Sequence, residues 1–555
     1  MAAIALLWAG WTFYSLYNFR SPLDSQPPVP GEPVGPQAVR RLVFVLIDGL
    51  RYDTASDPAV MPVLNRLRGE GASARMISRT PSFSQPGYSA LMTGAWPDIA
   101  YGPGFNLSYE NIPSWTQDNL FSAASRSGLK TAAAGLHWFD KLIPPDGQPN
   151  ASFYVPDEGA DYDRSVVDAA LDWLVDPQAF QFVFIHLTQV DYAGHAEGGP
   201  VDPRWNAAAQ RVDELLSEIT AYLDLNFDAV VVTSDHGHID LGGHGGQEPE
   251  VITEPFVLAG AGVLPGEYDE IRIVDFAPTV AALLGTNLPA SAQGRVLTEM
   301  LDLPEETLTA LPAAEAAQQE ALVSTYARAI GFDEAKFSGK GMASMEPEVA
   351  QHPSLLWQPA LERSQNARMR EERLWRAFVF FPAVIGFAFL LTSSGKEKRW
   401  TAAGSLIYLI LFNFVYAVIL DRTYTFSSVS SPASLALLTG LISPAAMSGA
   451  WLFFAKKTQL FQHDRLTAIN LSLNLTLAVV WMLMLAPLVS FVLNGPIIRW
   501  AHPEPVSFFL GLLSLLQIAP AALAGLLLSG AAVLADWIRP RILQQRKLLR
   551  FIGGD

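Results

Sequence analysis

The sequence of 555 residues contains no cysteine, so neither a disulfide framework nor a thiolate metal site can form. Any metal ion must therefore be held by histidine, carboxylate or hydroxyl side chains. Positive charge is also scarce, since 37 lysines and arginines stand against 54 aspartates and glutamates. The net charge of −17 argues against nucleic acid as a partner, because no basic stripe is available to neutralise phosphates.

Charge is nearly absent from the first twenty residues and sparse after residue 376, while half of all residues are apolar. Apolar stretches at 377–393, 400–420, 432–455, 468–493 and 506–535 are long enough, or nearly so, to span a bilayer. The stretch at 2–17 is shorter and has no small-residue cleavage site after it, which favours a signal anchor over a removed signal peptide. The predicted segments are a signal-anchor helix at 1–19, a proline-rich linker at 20–39, a catalytic domain at 40–301, a helical connector at 302–375, a five-span bundle at 376–538 and a basic tail at 539–555.

The distribution of basic residues predicts the membrane topology. The loop that contains Lys396, the loop that contains Lys456 and the tail that contains Arg539 are basic, and the intervening loops are not. By the positive-inside rule these segments are cytoplasmic. Six spans then place both termini in the cytoplasm and residues 20–375 outside it, in an extracytoplasmic or lumenal space. Arg20 is the one residue that disagrees, because it flanks the first span on the outer side.

The middle of the chain alternates short apolar runs with amphipathic stretches. Runs at 42–47, 180–187 and 229–233 read as buried parallel strands, and 206–223 has helical periodicity. This alternation predicts an α/β fold with a doubly wound, mostly parallel sheet, joined to an all-α transmembrane bundle. Ligands bind such sheets beyond the carboxyl ends of the strands.

Acidic and histidine side chains follow each of these three strands. Residues of these types hold divalent cations, and three strands deliver them to the same edge of the sheet. Any one of them alone could be a structural histidine or a helix cap, but the coincidence of all three predicts a metal site. The candidates are Asp48, Asp191, His195, Asp235, His236 and His244.

The stretch RTPSFSQPGYSALMTG places a serine, Ser84, ahead of a predicted helix that includes 88–93. A hydroxyl at that position meets free N–H groups and the positive end of the helix dipole, which favour a bound phosphate. Taken alone, the serine is better explained as a helix cap.

Four motifs together resemble the alkaline phosphatase superfamily, in its branch of type I phosphodiesterases and GPI ethanolamine phosphate transferases. They are VFIHLTQVDYAGH, PSFSQPGYSALMTG, IVDFAPTVAALLG and the run from TSDHG through GGHGGQEPEVITEPFVLAGAG. The similarity covers roughly residues 41–300, and the order of the motifs is more specific than any one of them. It implies a sheet of alkaline-phosphatase type, and the GPI transferases also carry a many-span bundle after the catalytic domain.

The resemblance implies two metal sites that act together in one phosphoryl-transfer reaction. Zinc suits the mixture of histidine and carboxylate ligands, with manganese as the alternative. Ser84 is then the nucleophile that forms a phosphoseryl intermediate, and Asn106 falls near an asparagine that contacts phosphate in the phosphodiesterase relatives. The implied ligands are Asp48, Ser84, Asp235 and His236 for one ion and Asp191, His195 and His244 for the other.

Several residues near these motifs are open to a second interpretation. Ser82 lies two residues before Ser84, and the motif register favours Ser84 as nucleophile. His238 and Asp240 match no ligand position and are interpreted as solvated loop residues or as partners of the ligands. His186 lies in an apolar strand and is predicted to be a hydrogen-bonded core histidine.

The sequence therefore predicts metal-dependent phosphoryl transfer on a lipid or lipid-linked phosphodiester at the outer membrane face. The resemblance favours transfer of phosphoethanolamine between lipids. The alternatives are a phosphodiesterase or nucleotide pyrophosphatase that uses water as acceptor, a phosphomonoesterase, and an inactive membrane scaffold. Any acceptor uses the same metals and nucleophile, so the sequence leaves it open.

Overall fold

The structure is a computed structural model that describes residues 2–100, 104–159, 161–331, 354–392, 396–429, 431–499 and 501–552. The chain divides into two compact units. The sheet unit comprises Leu16–Met369 together with Ile498–His502. The helical unit comprises Met1–Ser15, Arg370–Ile497 and Pro503–Asp555.

Within its described residues, the sheet unit is built around a nine-stranded sheet. The strands are β1 (Arg41–Ile47), β2 (Ala72–Ile77), β3 (Thr131–Leu136), β4 (Ala151–Val155), β5 (Phe182–Leu187), β6 (Asp228–Thr233), β7 (Thr253–Gly260), β8 (Gly266–Glu267) and β9 (Ile271–Arg272). Their order is β4-β3-β5-β1-β6-β7-β2-β8, with β9 paired to β2. The strands from β4 to β6 are all parallel, and β7 runs antiparallel to both β6 and β2.

The sheet confirms the predicted mostly parallel α/β fold. The three apolar runs of the sequence form β1, β5 and β6, which are neighbours at the centre of the sheet and are fully buried. Their apolar character on both faces follows from this position, because helices cover both sides of a parallel sheet. Ile47 pairs with Leu187 and Leu46 pairs with Thr233, so the three strands end at the same level.

Helices connect the strands and cover the sheet. The predicted helix at 206–223 is observed as Pro203–Ala221, and it begins where the Asp202 side chain accepts the Arg204 N–H at 3.0 Å. The first helix of the chain is α1 (Ala2–Tyr17). The helices of the sheet unit that follow it are α2 (Tyr52–Ala55), α3 (Pro62–Glu70), α4 (Ser84–Thr93), α5 (Pro97–Ala100), α6 (Leu120–Arg126), α7 (Phe139–Leu142), α8 (Tyr162–Leu174), α9 (Gln189–Ala196), α10 (Pro203–Ala221), α11 (Phe276–Leu284) and α12 (Glu305–Ala329).

The helical unit contains long apolar helices. They are α13 (Ser354–Thr392, which begins before the unit does), α14 (Lys396–Asn413), α15 (Pro432–Thr458), α16 (Arg465–Leu483), α17 (Leu485–Asn494) and α18 (Pro505–Ile552). Among the described residues, four segments are long and apolar enough to cross a membrane: Glu397–Ile419, Pro432–Thr458, Arg465–Asn494 and Pro505–Ala531. They correspond to four of the five spans predicted after residue 376, and the fifth, at 377–393, lies partly outside the described residues. The chain is a membrane protein; its topology and domain boundaries stay predictions.

Candidate metal centre

Three neighbouring strands deliver acidic and histidine side chains to one edge of the sheet. β1 leads directly into Asp48, and β6 is followed after one residue by Asp235 and His236. β5 leads into α9, which carries Asp191 near its start and His195 in its last turn. Because the three strands are parallel and end at the same level, these side chains meet, as the strand-end argument predicts.

The first ligand group consists of Asp48, Ser84, Asp235 and His236, all of them at most 4 % exposed. The His236 Nε2 atom lies 3.4 Å from Asp48 Oδ1, 3.3 Å from Asp235 Oδ2 and 3.3 Å from Ser84 Oγ. Asp235 is oriented by its other oxygen, which accepts the backbone N–H of Gly49 at 3.2 Å. The four side chains therefore converge on one buried point around the His236 ring nitrogen.

The second ligand group consists of Asp191, His195 and His244, joined by His238. The Asp191 Oδ1 atom lies 3.6 Å from the Nε2 atoms of both His195 and His244, and 3.2 Å from His238 Nε2. The Nε2 atoms of His195 and His244 are 2.9 Å apart. One carboxylate oxygen of Asp191 also lies within 4.8 Å of ligand atoms of Asp48 and His236, so Asp191 is close to both ligand groups.

The separations within the second group match those around a tetrahedral ion. A zinc ion bound at about 2.0–2.1 Å places its ligand atoms about 3.3 Å from one another. The four distances between ligand atoms in the second group run from 2.9 to 3.6 Å.

Buried atoms without hydrogen bonds mark the same centre. Such atoms are costly unless something else compensates them. Four of them surround the two ligand groups: Asp48 Oδ1, Asp191 Oδ1, Asp235 Oδ2 and His238 Nε2. The residues present therefore fit divalent cations held by oxygen and imidazole nitrogen.

Burial controls the protonation of the ligands. It lowers the pKa of His236 to about 4, and it lowers the pKa of His244 well below the usual range with help from the neighbouring His236. Burial would raise the pKa of Asp191, but His195 and the other nearby imidazoles bring it well below its usual range. The pKa of Asp235 is raised well above normal by burial and then by the charges of Asp48 and Asp191. Neutral imidazoles beside crowded carboxylates are the donor set that a cation stabilises.

The two candidate nucleophiles have different surroundings. The Ser84 hydroxyl lies at the first ligand group and accepts a hydrogen bond from Asn106 Nδ2 at 3.2 Å. The Ser82 hydroxyl instead donates to the Gly246 carbonyl at 2.7 Å and accepts the Gly245 N–H at 3.1 Å. Ser82 thereby fixes the glycine-rich loop, and the geometry favours Ser84 as the nucleophile.

Helix α4 begins at Ser84 itself rather than after it, and this changes the expected role of the helix N-terminus. The Gln85 N–H donates to Asn106 Oδ1 at 3.0 Å, Pro86 has no N–H, and the Gly87 N–H donates to the Phe83 carbonyl at 3.0 Å. The expectation of free N–H groups that meet phosphate is therefore wrong for these three residues. The side-chain amide of Asn106 is the donor placed at the nucleophile.

A buried hydrogen-bond network orients Asp48. His186, interpreted from the sequence as a core histidine, contacts Asp48 Oδ2 through Nε2 and the Tyr162 hydroxyl through Nδ1, each at 3.1 Å. The Tyr88 hydroxyl donates to the same Asp48 oxygen. Sequence reasoning did not identify Tyr88, although it lies four residues after Ser84 and therefore one helical turn along α4.

For His238, the structure contradicts one of the two sequence interpretations, that of a solvated loop residue, and leaves that of a partner of the ligands. Its side chain is fully buried, not solvated, and its ring packs against the ring of Trp205 at a centroid distance of 5.3 Å. Asp240 is the exposed residue of this loop, and it pairs with Arg51 at 2.7 Å. The sequence does not show that His238 is buried and Asp240 exposed, because burial in this loop depends on α9 and α10 lying over it.

Comparisons with known proteins agree with this architecture. Residues 42–248 match the family model described as type I phosphodiesterase / nucleotide pyrophosphatase. The human GPI ethanolamine phosphate transferase 3, catalytic subunit, is 27 % identical over 344 residues, which are 55 % of this chain and 31 % of the relative. The human GPI ethanolamine phosphate transferase 2, catalytic subunit, is 26 % identical over 315 residues, 51 % of this chain and 31 % of the relative. The matched segment thus spans about a third of the length of these relatives.

Among solved structures, human ectonucleotide pyrophosphatase / phosphodiesterase 5 aligns with a TM-score of 0.38 and 14 % identity, over 44 % of this chain and 95 % of that chain. The family match and the transferase relatives confirm the resemblance to the alkaline phosphatase superfamily. Within it, residues 42–248 are similar to the type I phosphodiesterase / nucleotide pyrophosphatase family.

Proposed function

We propose that this protein is a two-cation phosphotransferase that moves a phosphoethanolamine-type group between lipids through a phosphoseryl intermediate on Ser84. The observation that carries the proposal is the position of the Ser84 hydroxyl. It lies at the first ligand group, 3.3 Å from His236 Nε2, and within hydrogen-bond distance of the Asn106 amide. The transferase relatives support the choice of phosphoethanolamine as the transferred group.

The residues of the site divide the work of the reaction. Ser84 Oγ gives its proton to solvent and attacks phosphorus, the bond from phosphorus to the donor alcohol breaks, and the departing oxygen takes a proton from solvent. Asn106 Nδ2, which donates to Ser84 Oγ, is placed to donate to a phosphoryl oxygen as well. In the second step the acceptor hydroxyl gives its proton to solvent and attacks phosphorus, the bond from phosphorus to Ser84 Oγ breaks, and Oγ takes a proton back from solvent.

Two divalent cations, when bound by the two ligand groups, supply Lewis acidity at the attacking and leaving oxygens. The protein's own part is to hold the ligands rigidly. Tyr88 and His186 both bond Asp48 Oδ2, which leaves Asp48 Oδ1 directed at His236. Positioned ligands of this kind give electrostatic stabilisation without reorganisation during the reaction.

The helical unit supports a lipid substrate. A water-soluble diester would not need four or more apolar spans, whereas a lipid phosphate gains from a catalytic domain held at a membrane. The distribution of basic residues supports a catalytic domain on the extracytoplasmic or lumenal side, with both termini in the cytoplasm.

The surroundings of Arg79 weigh against a phosphomonoesterase. A doubly charged phosphate monoester calls for additional cationic contacts, and Arg79 is the basic residue at the start of the nucleophile motif. Its guanidinium pairs with Asp98 at 2.5 Å and lies over the ring of Trp96. The complete ligand set, buried except for His195, likewise weighs against an inactive scaffold.

The test uses the full-length protein in lipid nanodiscs with head-group-labelled phosphatidylethanolamine and a glycolipid acceptor. We expect label to move to the acceptor, and a chelator to abolish the transfer. Label released as free phosphoethanolamine would instead identify water as the acceptor. Efficient hydrolysis of a monoester, with no turnover of the lipid or of bis-p-nitrophenyl phosphate, would contradict the proposal.

A further inference from the structure

His238 has the environment of a metal ligand although the resemblance assigns it no such role. Its side chain is fully buried, and its Nε2 atom lies 3.2 Å from Asp191 Oδ1 without a hydrogen-bond partner. The resemblance assigns three ligands to the second ion, namely Asp191, His195 and His244. His238 therefore adds a fourth donor to a site for which three were expected.

The hydrogen bond on the other side of the His238 ring fixes its tautomer. His238 Nδ1 lies 3.3 Å from the Gly49 carbonyl, which can only accept a hydrogen bond, so Nδ1 carries the proton. In a neutral ring the Nε2 atom then presents a lone pair to the Asp191 carboxylate. Two electron-rich atoms at 3.2 Å repel each other unless a cation lies between them.

The predicted ligands His236 and His244 are held in the same way. His236 Nδ1 contacts the Gly237 carbonyl at 3.1 Å, and His244 Nδ1 contacts the Ser82 carbonyl at 3.0 Å. In each case Nδ1–H donates a hydrogen bond to a backbone carbonyl, and Nε2 is directed into the centre. Orientation of a ligating histidine by a second hydrogen bond is typical of metal sites.

Two glycines leave the space that the His238 ring occupies. A β-carbon on Gly194, in α9, would collide with the Nε2 side of the ring. Gly49 adopts a positive φ of 71°, and a β-carbon there would also meet the ring. The turn after β1 and helix α9 thus form a close-fitting slot that points the ring at Asp191.

We propose that His238 binds the same cation as Asp191, His195 and His244, so that the second ion has four protein ligands. This inference rests on the proposed function, because it takes the second ligand group to hold an ion. Catalytic zinc sites usually have three protein ligands and can expand to five-coordinate in the transition state, so an ion held by four protein ligands would still accept a reacting oxygen as a fifth ligand.

The test counts the histidines that bind metal in the full-length protein in detergent micelles. The protein is labelled with nitrogen-15 in its nine histidines and loaded with cadmium-113. Scalar coupling between cadmium and a ring nitrogen reports a direct bond. We expect four coupled histidines, with the Nε2 signals assigned by the single substitutions His195→Gln, His236→Gln, His238→Gln and His244→Gln.

His238→Gln should remove one coupled signal and weaken metal binding at one of the two sites by about 10-fold to 100-fold or more. Asp240→Asn, in the same loop but exposed, is the matched control and should change neither. Three coupled histidines, with a proton on His238 Nε2, would overturn the inference and leave His238 as an ion-pair partner of Asp191. No coupling from any histidine would instead contradict the proposed function. The wild-type count alone decides the question if His238→Gln fails to fold.

Discussion

The two ligand groups meet at Asp191 but are built differently. The first group has two carboxylates, Asp48 and Asp235, around one histidine, and every member is buried. The second group has one carboxylate among three histidines, and the His195 side chain is 46 % exposed. The two carboxylates of the first group therefore balance the charge of a divalent cation, whereas an ion in the second group keeps a net positive charge.

The difference assigns separate tasks to the groups. The first group contains Ser84 and is fixed by Tyr88 and His186, so it is suited to hold the nucleophile in one geometry. The second group reaches solvent through His195 and is suited to meet an incoming or departing oxygen. Five predictions can break or sharpen this comparison.

Ser84→Ala should have the largest effect, because it removes the nucleophile of the first group. Transfer should fall roughly a thousandfold or more, as for other covalent catalysts that lose the attacking group. Phosphotransfer assays and metal analysis of the same preparation check this. Ser82→Ala is the control and should keep most of the activity, so full activity in Ser84→Ala would refute the assignment.

Asp191→Asn should affect both groups, since Asp191 is the carboxylate near both. We expect the purified protein to lose affinity for both ions, whereas Asp235→Asn should weaken one. Metal content after dialysis at graded chelator concentrations distinguishes the two variants. If each variant instead lost affinity for only one ion, and by a similar amount, the two groups would bind their ions independently.

Acid should destabilise the chelator-treated protein through the first group. The folded pKa of His236 is lowered to about 4, whereas the unfolded imidazole has a pKa of about 6.5. The unfolded state therefore binds a proton first as pH falls. The free energy of unfolding is therefore unaffected by His236 above about pH 6.5, and it decreases by about 3 kcal/mol as the pH falls toward 4. Urea unfolding over this pH range measures it, and His236→Gln should flatten the dependence.

Tyr88→Phe should weaken the first group and spare the second. It removes one of the two donors to Asp48 Oδ2 but keeps the ring in the core. Loss of such an orienting partner typically lowers metal affinity or activity by about 10-fold to 100-fold. Competitive metal titration should show one weakened site and one unchanged site. A uniform loss at both would point to a general packing defect.

Asp240→Asn should have the smallest effect. Asp240 is exposed and pairs with Arg51, which also pairs with Asp53 at 2.5 Å, so the guanidinium keeps a partner. Exposed ion pairs contribute little, and we expect a shift of the unfolding midpoint below about 2 °C. Thermal unfolding with and without bound metal checks this, and a loss of metal would place Asp240 in the second group.

The sequence predicted the sheet and its strand-end residues well because both depend on local patterns. Apolar runs of five to eight residues identified β1, β5 and β6, and each was followed by the side chains that now form the centre. Parallel pairing of adjacent strands then requires their carboxyl ends to meet, so Asp48, Asp191 and Asp235 could be placed together without coordinates.

The start of α4 and the role of its N–H groups could not be read from the motif. The stretch around Pro86 and Gly87 gives a weak helix signal, yet the helix includes both because it is buried along its whole length. Likewise, the resemblance placed Asn106 only near a phosphate-contacting asparagine of the relatives, and the fold brings its amide to Ser84.

The sequence by itself determined the chemistry available to this protein. Without cysteine, any metal ligands had to be histidine, carboxylate or hydroxyl side chains, and the motifs supplied seven candidates. Only the tertiary structure decided how they are oriented, because burial, tautomer and hydrogen-bond partner depend on distant segments. His238 and Asp240 are two residues apart, yet the packing of α9 and Trp205 buries one beside Asp191 and leaves the other with Arg51 at the surface.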